Sequence, residues 1–398
     1  MSATLRRRVL QARVLQFAYW AGAAFLVPYL SLYYRAAGLS GFEIGLQAAL
    51  YAVLSLLLGP VWGAVSDRTR RPRLILQISL LGTALSALVL GRQVGLLPIT
   101  LATAAYGIFG SGCWTLIDVV IVHQIRNTGV GYGSVRLWGS LGWTAVVWLA
   151  GEWIQRTSLW TGFVGYFLGA AVTVLVAALI PEPELEPHTG SRTAFARSIL
   201  GRAPLVWLAG GLLVLLIAEV GPFRFLTLYT VDLGGREGLA GLAMAIGALL
   251  EWPMMLAADR LVARLQAPRV LELSALVWAT CWAVGAVIPS APFIILVVIL
   301  NSAGYTLYAV GMVNAVMRHA RPEQAGEALG FYSVTLRSLA ELIGGPLGGW
   351  GYDAATGRGM FALSAGIGVA AWALLRRVTR LERRSLAGEA VSAASRAD

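Results

Sequence analysis

Eight ionisable residues stand where the sequence is otherwise apolar: Asp118, Arg136, Glu152, Glu219, Arg224, Glu251, Arg337 and Glu341. An acid or base deep in a membrane span costs about 2.5 to 3.5 kcal/mol on the insertion scale, so it marks a partner or a wet cavity. Glu152 and Arg224 fall near segment ends, and both are expected to reach for the membrane surface. Asp118 and Arg136 lie on consecutive segments across a short loop, spaced for an ion pair. Arg337 and Glu341, at i and i+4, share one helix face and can neutralise each other. Glu219 precedes Gly221 and Pro222, and Glu251 precedes Pro253, so each acid sits at an expected helix break. Bends beside buried charge suit helices that line a cavity. A guanidinium and a carboxylate can grip vicinal hydroxyls, and an indole such as Trp143 can cover the apolar face of a ring. The alternative is that these charges are structural ion pairs holding helices in register.

The elements that must carry these groups follow from composition. The chain has 398 residues, 58% hydrophobic and 13% charged, with mean hydropathy +0.71. A soluble domain carries roughly 25% charged residues. Apolar runs near the length of a bilayer crossing recur throughout, and they do not alternate as barrel strands would. The expected fold is all-α, a polytopic membrane protein of 12 transmembrane helices in two pseudo-symmetric six-helix bundles. The spans are read at Val14–Arg35, Glu43–Val65, Leu74–Gly91, Ile99–Ile125, Val135–Ile154 and Thr161–Ile180, then Leu205–Val231, Leu239–Ala258, Val270–Ile288, Phe293–Arg318, Leu329–Tyr352 and Met360–Arg376. Pro28 is expected to bend the first. Residues 1–180 form the first bundle, 181–204 a Pro-rich linker too charged to pack, 205–376 the second bundle, and 377–398 a disordered tail.

The net charge of +11 needs no nucleic-acid partner. All basic residues are Arg, and only Arg35, Arg92, Arg156, Arg236 and Arg358 fall on one side of the assigned membrane, with Arg224 and Arg337 inside spans. That bias places both termini in the cytoplasm. Arg6, Arg7 and Arg8 before the first apolar run read as the flank of a retained span, not of a cleaved leader. Cys113 and Cys281 lie inside apolar runs and read as small core residues. His123, His188 and His319 stand apart, with no nucleophile grouping or metal-ligand cluster, and the glycines from Gly129 to Gly133 follow no strand. No enzyme, metal or cofactor is expected.

Between the second and third spans runs Gly63-Ala-Val-Ser-Asp67-Arg68-Thr-Arg70-Arg71-Pro-Arg73, a basic hairpin with an acid at its entrance. It resembles the signature of the major facilitator superfamily. A degenerate copy, Asp259-Arg260 with Arg264, follows about half a chain later. The resemblance implies a conformational latch made by Gly63, Asp67, Arg68 and Arg71, echoed by Asp259 and Arg260, in which the acid holds a helix end or an Arg in one state and releases it in the other.

Tyr132-Gly-Ser-Val-Arg136-Leu-Trp-Gly-Ser-Leu-Gly-Trp143 is similar to the start of the fifth helix in the lactose-permease-like and phenylpropionate-permease-like proton symporters. That resemblance implies that Arg136 recognises a substrate hydroxyl and pairs with Asp118, that Trp143 stacks on a sugar ring, that Glu251 contacts substrate and that Arg337 pairs with Glu219. By the assigned boundaries Glu219 and Arg337 lie at different depths. The tenth helix departs from the pattern. Asn301 and Gly304 stand where those symporters carry a His and a proton-accepting Glu. Asn301 joins the expected substrate set, and Glu341 becomes the expected proton carrier, with Glu219 and Glu251 behind it. The function expected is a proton-coupled transporter in the inner membrane, monomeric, moving a small polar solute by rocking of two halves. Sugar or glycoside comes first, with nucleoside and aromatic acid open. Sodium coupling also fits carboxylates at helix breaks. The runner-up is an exporter of hydrophobic compounds on the same fold.

Overall fold

The computed structural model describes residues 3–182, 203–319 and 325–394, and every regular element among them is helical. The first span is two helices, α1 (Ala3–Ala24) and α2 (Leu30–Ala36), joined by a 3-10 turn over Val27–Tyr29. Pro28 sits in that turn, where its missing N–H breaks the ladder. The first half continues as α3 (Gly41–Thr69), α4 (Pro72–Leu90), α5 (Leu96–Ile125), α6 (Tyr132–Arg156) and α7 (Trp160–Ala178). The second half is α8 (Ala203–Asp232), α9 (Glu237–Leu265), α10 (Ala267–Val287) and α11 (Ile294–His319). It ends with α12 (Ala325–Gly330), a π turn at Phe331–Thr335 and α13 (Leu336–Ala394). Non-helical backbone at Ala355 and Thr356 divides α13 into the last two spans.

Among the described residues ten stretches have the length and hydropathy to cross a bilayer, and one of them, Ala328–Arg380, is long enough for two crossings. The helix that falls outside this set is α6, which carries Arg136 and Glu152. It still exposes the large apolar side chains of Leu141, Trp148, Leu149 and Trp153.

The two halves repeat each other in backbone detail. Each hairpin after the second span turns through a left-handed residue, Arg70 (φ 53°) or Gln266 (φ 68°), two positions before the proline that starts the next helix. Tyr33 donates to the carbonyls of Leu90 and Gln93 at 2.5 and 2.7 Å, and Tyr229 donates to Gly285 at 3.1 Å. Ser79 donates to the Phe109 carbonyl at 2.5 Å, and Ser274 to that of Gly304 at 2.8 Å. In this register Asp259 aligns with Gly63, one turn before the position of Asp67. The degenerate copy read from sequence is therefore displaced by a turn.

Three further expectations change. Pro181 and Glu182 are docked instead of loose, because Glu182 pairs with Arg73 at 3.0 Å and accepts from its backbone N–H at 2.8 Å. Residues 183–202 of the expected linker lie outside the described residues. The tail expected to be disordered continues as helix to Ala394. Pro253 sits inside a continuous helix, where a local break was expected, and Pro222 also lies within its helix.

The halves meet through glycines at the end remote from the termini. Gly41 and Gly45 on α3 lie against Gly349 and Gly345 on α13 so closely that a Cβ on Gly345 would stand 2.8 Å from the Gly45 carbonyl. The mate of this contact joins α6 to α9, where a Cβ on Gly151 would stand 2.6 Å from the Glu237 carbonyl and one on Gly241 2.6 Å from that of Val147. Small residues let helix backbones approach where no hydrophobic drive joins them. Asp353 locks the first contact. Its carboxylate accepts from the N–H groups of Gly41 and Phe42 at 2.7 and 2.8 Å, at the positive end of α3, and Arg35 stands 3.6 Å away. Asp353→Ala should remove about 1 kcal/mol of capping, opening this seam. In an Ala48→Cys background, where position 48 is 5% exposed beside Gly345, an impermeant maleimide should then react about fivefold faster. Cys113 and Cys281 are buried and give little background; an unchanged rate would remove Asp353 from the closure.

Candidate functional site

Below the seam, charged and aromatic side chains from both halves face one another. In the first half α1 supplies Trp20, α5 supplies Trp114 and Asp118, and α6 supplies Arg136 and Trp143. The Arg136 guanidinium lies 4.3 Å from the centre of the Trp20 ring. Trp20 in turn meets Trp114 edge to face at 5.0 Å and Trp143 at 6.0 Å. The three indoles and one guanidinium make a surface with apolar faces and a planar donor, suited to a ring that carries hydroxyls.

The ion pair expected between Asp118 and Arg136 is not formed. Asp118 instead accepts from the Tyr132 hydroxyl at 2.7 Å, and Arg136 turns onto Trp20. The two charges remain within electrostatic reach of each other. Among the described residues Arg136 makes no ion pair and Glu251, on α9, makes neither an ion pair nor a hydrogen bond. Glu251 feels the Arg136 charge across the interface between the halves. Tyr305 on α11 lies within electrostatic reach of Glu251, Arg136, Arg337 and Glu219 together. These groups therefore converge between the halves.

A second cluster stands on α8 and α13. Arg337 donates to Glu219 at 2.7 Å and to Glu341 at 3.4 Å, and Arg224 approaches Glu341 at 3.6 Å. Glu219 is 3% exposed. The Glu219–Arg337 pair forms despite the depth mismatch read from sequence. The π turn at Phe331–Thr335 lies two residues before Arg337 and shifts the helix register there. Arg224 does not reach for the membrane surface as expected. It turns inward to Glu341 and lies within electrostatic reach of Tyr34, Tyr51 and Tyr106 in the other half. Glu152, at the outer end of α6, holds Arg156 at 3.0 Å and accepts from Gln155 at 3.1 Å.

The Asn301 amide is partly used within its own half. Its side-chain oxygen accepts from Trp278 Nε1 at 2.9 Å, and Trp278 is fully buried, so the amide anchors a core indole. In the hairpin after α3, Asp67, Arg68 and Arg71 are exposed and make no ion pair among the described residues, and the space beside Gly63 is open. Arg260 is exposed, and the side chain of Asp259 lies outside the described residues. Two contributors, Trp20 and the Arg73–Glu182 pair, escaped sequence reading, and a third, Arg224, was given another role. Trp20 carries no charge to single it out, Arg224 sits near a span end, and Arg73 finds Glu182 across 109 residues.

The profile of the MFS_1 like family matches residues 10–363. A maltose permease of Geobacillus stearothermophilus is 27% identical over 334 residues, covering 82% of this chain and 81% of that protein. A probable 3-phenylpropionic acid transporter of Escherichia coli strain K12 is 25% identical over 326 residues, 80% of this chain and 83% of that one. The crystal structure of the nucleoside transporter NupG superposes with a TM-score of 0.82 at 16% identity, covering 94% of this chain and 99% of that one, a likeness of fold alone. With two matched six-helix halves and polar groups converging between them, the chain belongs to the MFS_1 like family of the major facilitator superfamily and is a multi-pass membrane transporter, not an enzyme.

Proposed function

We propose that this transporter moves a small polar organic solute, a sugar or glycoside first, across a bacterial inner membrane in exchange for the energy of a proton gradient. The observation that carries the reading is the arrangement around Arg136: a guanidinium without an ion-pair partner, laid over one indole of three, opposite the unpartnered carboxylate of Glu251. A neutral polyol can accept from Arg136 and donate to Glu251 and Asp118 while its ring packs on Trp143. An anion would meet two acids for one base. Asn301 can serve the binding set through its amide N–H groups, since its oxygen accepts from Trp278.

The α8–α13 cluster is assigned to coupling. Glu341 is the proton carrier, since its contacts to Arg337 and Arg224 are long, at 3.4 and 3.6 Å, and its neutralisation leaves the tight Arg337–Glu219 bond intact. Protonation would free Arg224 toward the tyrosines of the first half, tying charge state to the distance between halves. The Arg-rich side holds both termini and faces the cytoplasm. With the glycine seam shut at the other end, the conformation is open to the cytoplasm, and the unpaired Asp67 hairpin is the latch in its released state. The protein works as a monomer with no metal or organic cofactor.

The test is uptake by proteoliposomes of a sugar, nucleoside and aromatic-acid panel under an imposed pH gradient. Sugar accumulation that collapses with the gradient is expected, whereas sodium-driven accumulation would reassign the ion. Efflux of a hydrophobic dye without sugar counterflow would turn the reading to an exporter. Arg136→Ala should lower solute affinity at least about a hundredfold, as loss of a bidentate charged contact does, with an unaltered melting curve. Retained affinity would take α6 out of the site. Glu341→Gln should keep solute exchange and lose uphill accumulation; uphill uptake at the wild-type level would place the proton on another carboxylate.

A further inference from the structure

Arg136 faces two competing positions, and its location is unusual for a guanidinium with an acid nearby. Asp118 is close enough for attraction, and a charge-assisted pair between them would be the default in an apolar bundle. Two neighbours compete with it. Tyr132, at the first position of α6, places its hydroxyl on Asp118 Oδ1 at 2.7 Å. Trp20, on α1, offers its ring face to the guanidinium at 4.3 Å. A cation over an indole is stabilised by the negative ring face, most strongly where water is scarce.

The slot that holds this arrangement is shaped by Gly139, one turn after Arg136. A Cβ at 139 would stand 2.5 Å from Trp20 Cδ1 and 2.6 Å from Arg136 Nη1. No larger residue fits there with both groups in place. Trp20 is itself held from behind by Tyr19 at 5.7 Å and Trp114 at 5.0 Å. Its plane is therefore set by ring neighbours as well as by the cation it carries.

We propose that Trp20 is a positioning residue that keeps Arg136 off Asp118, so that the guanidinium waits with its donors unspent for the solute. The proposal rests on the assignment of Arg136 to solute binding. Its physical content is a preset competition: Tyr132 occupies one oxygen of the acid, Trp20 occupies the face of the cation, and the in-plane N–H groups stay free. Solute then binds without first breaking a buried ion pair. A solute that offers acceptors in the guanidinium plane is favoured over a flat apolar compound, which would have to displace the cation from the indole.

The test needs no solute. Phenylglyoxal modifies guanidinium groups and reacts slowly with those held in ion pairs; modification of each Arg is followed by mass spectrometry on the purified full-length protein. The exposed Arg70 and Arg71 serve as internal references for reagent and fold. Arg136 should be modified readily in the wild type and in Trp20→Phe, which keeps an aromatic face. In Trp20→Leu the modification should slow about fivefold as Arg136 moves onto Asp118, and Tyr132→Phe should act in the same direction. Trp20→Leu with Asp118→Asn should restore the wild-type rate, because the competing acid is gone. A wild-type rate in Trp20→Leu would overturn the proposal, and so would failure of the Asp118→Asn rescue in a protein whose reference arginines react normally. Loss of sugar transport in the uptake assay with these rates as expected would instead overturn the assignment of the site's solute.

Discussion

An ionised carboxylate with 3% of its surface exposed, inside a helix that crosses lipid, has to be met by a cation. Glu219 sets that requirement, and Arg337 meets it at 2.7 Å. Much of the second half is arranged around this bond. α8 and α13 must lie close along their length, the π turn must bring Arg337 to the right depth, and Glu341 and Arg224 then find each other at the edge of the same cluster. The pair leaves Glu341 with weaker contacts than its neighbour. That inequality sets the two acids of the cluster apart in how tightly each is held.

Closure at the far end uses a different physics. Lipid tails give no hydrophobic advantage to helix association, so the seam relies on backbone approach through Gly41, Gly45, Gly345 and Gly349 and on their mates Gly151 and Gly241. Asp353 adds directed contacts, a carboxylate accepting two N–H groups at the positive end of α3. Gln155 on α6 adds another by accepting from the Gly238 N–H at 3.2 Å, so the halves hold one another by many close backbone contacts and a few directed ones. Such an interface can open without unfolding either side. The tyrosine tethers within each half, Tyr33 to the end of α4 and Tyr229 to the end of α10, help each bundle to move as a body.

The chain's plan was largely legible because lipid imposes simple rules. Apolar runs of bilayer length gave twelve spans, Pro28 gave the break in the first, and the hairpin at Gly63–Arg73 marked the halves. Charges in spans pointed to Asp118, Arg136, Glu251, Arg337 and Glu341, since each is costly where it stands. What escaped depends on rotation about helix axes. Arg224 lies near a span end by count, yet α8 turns it toward Glu341. Trp20 is one of 14 tryptophans, and only the packing of α1 on α6 picks it out. The bond from Tyr132 to Asp118 spends an acid that charge counting assigned to Arg136. Asn301 looked like a free amide until Trp278 was seen to need an acceptor.

The π turn at Phe331–Thr335 has a consequence for how this half can vary. A wide turn holds one more residue than the α-helical turn it replaces, so everything after it is rotated by about 100° relative to a plain helix. Losing one residue there would swing the whole following face at once, carrying guanidinium and carboxylate away from a partner on α8 that stays still. A region of the chain with no charge of its own therefore sets the aim of two charged groups, and a register change in it is a more severe lesion than many substitutions at the groups themselves.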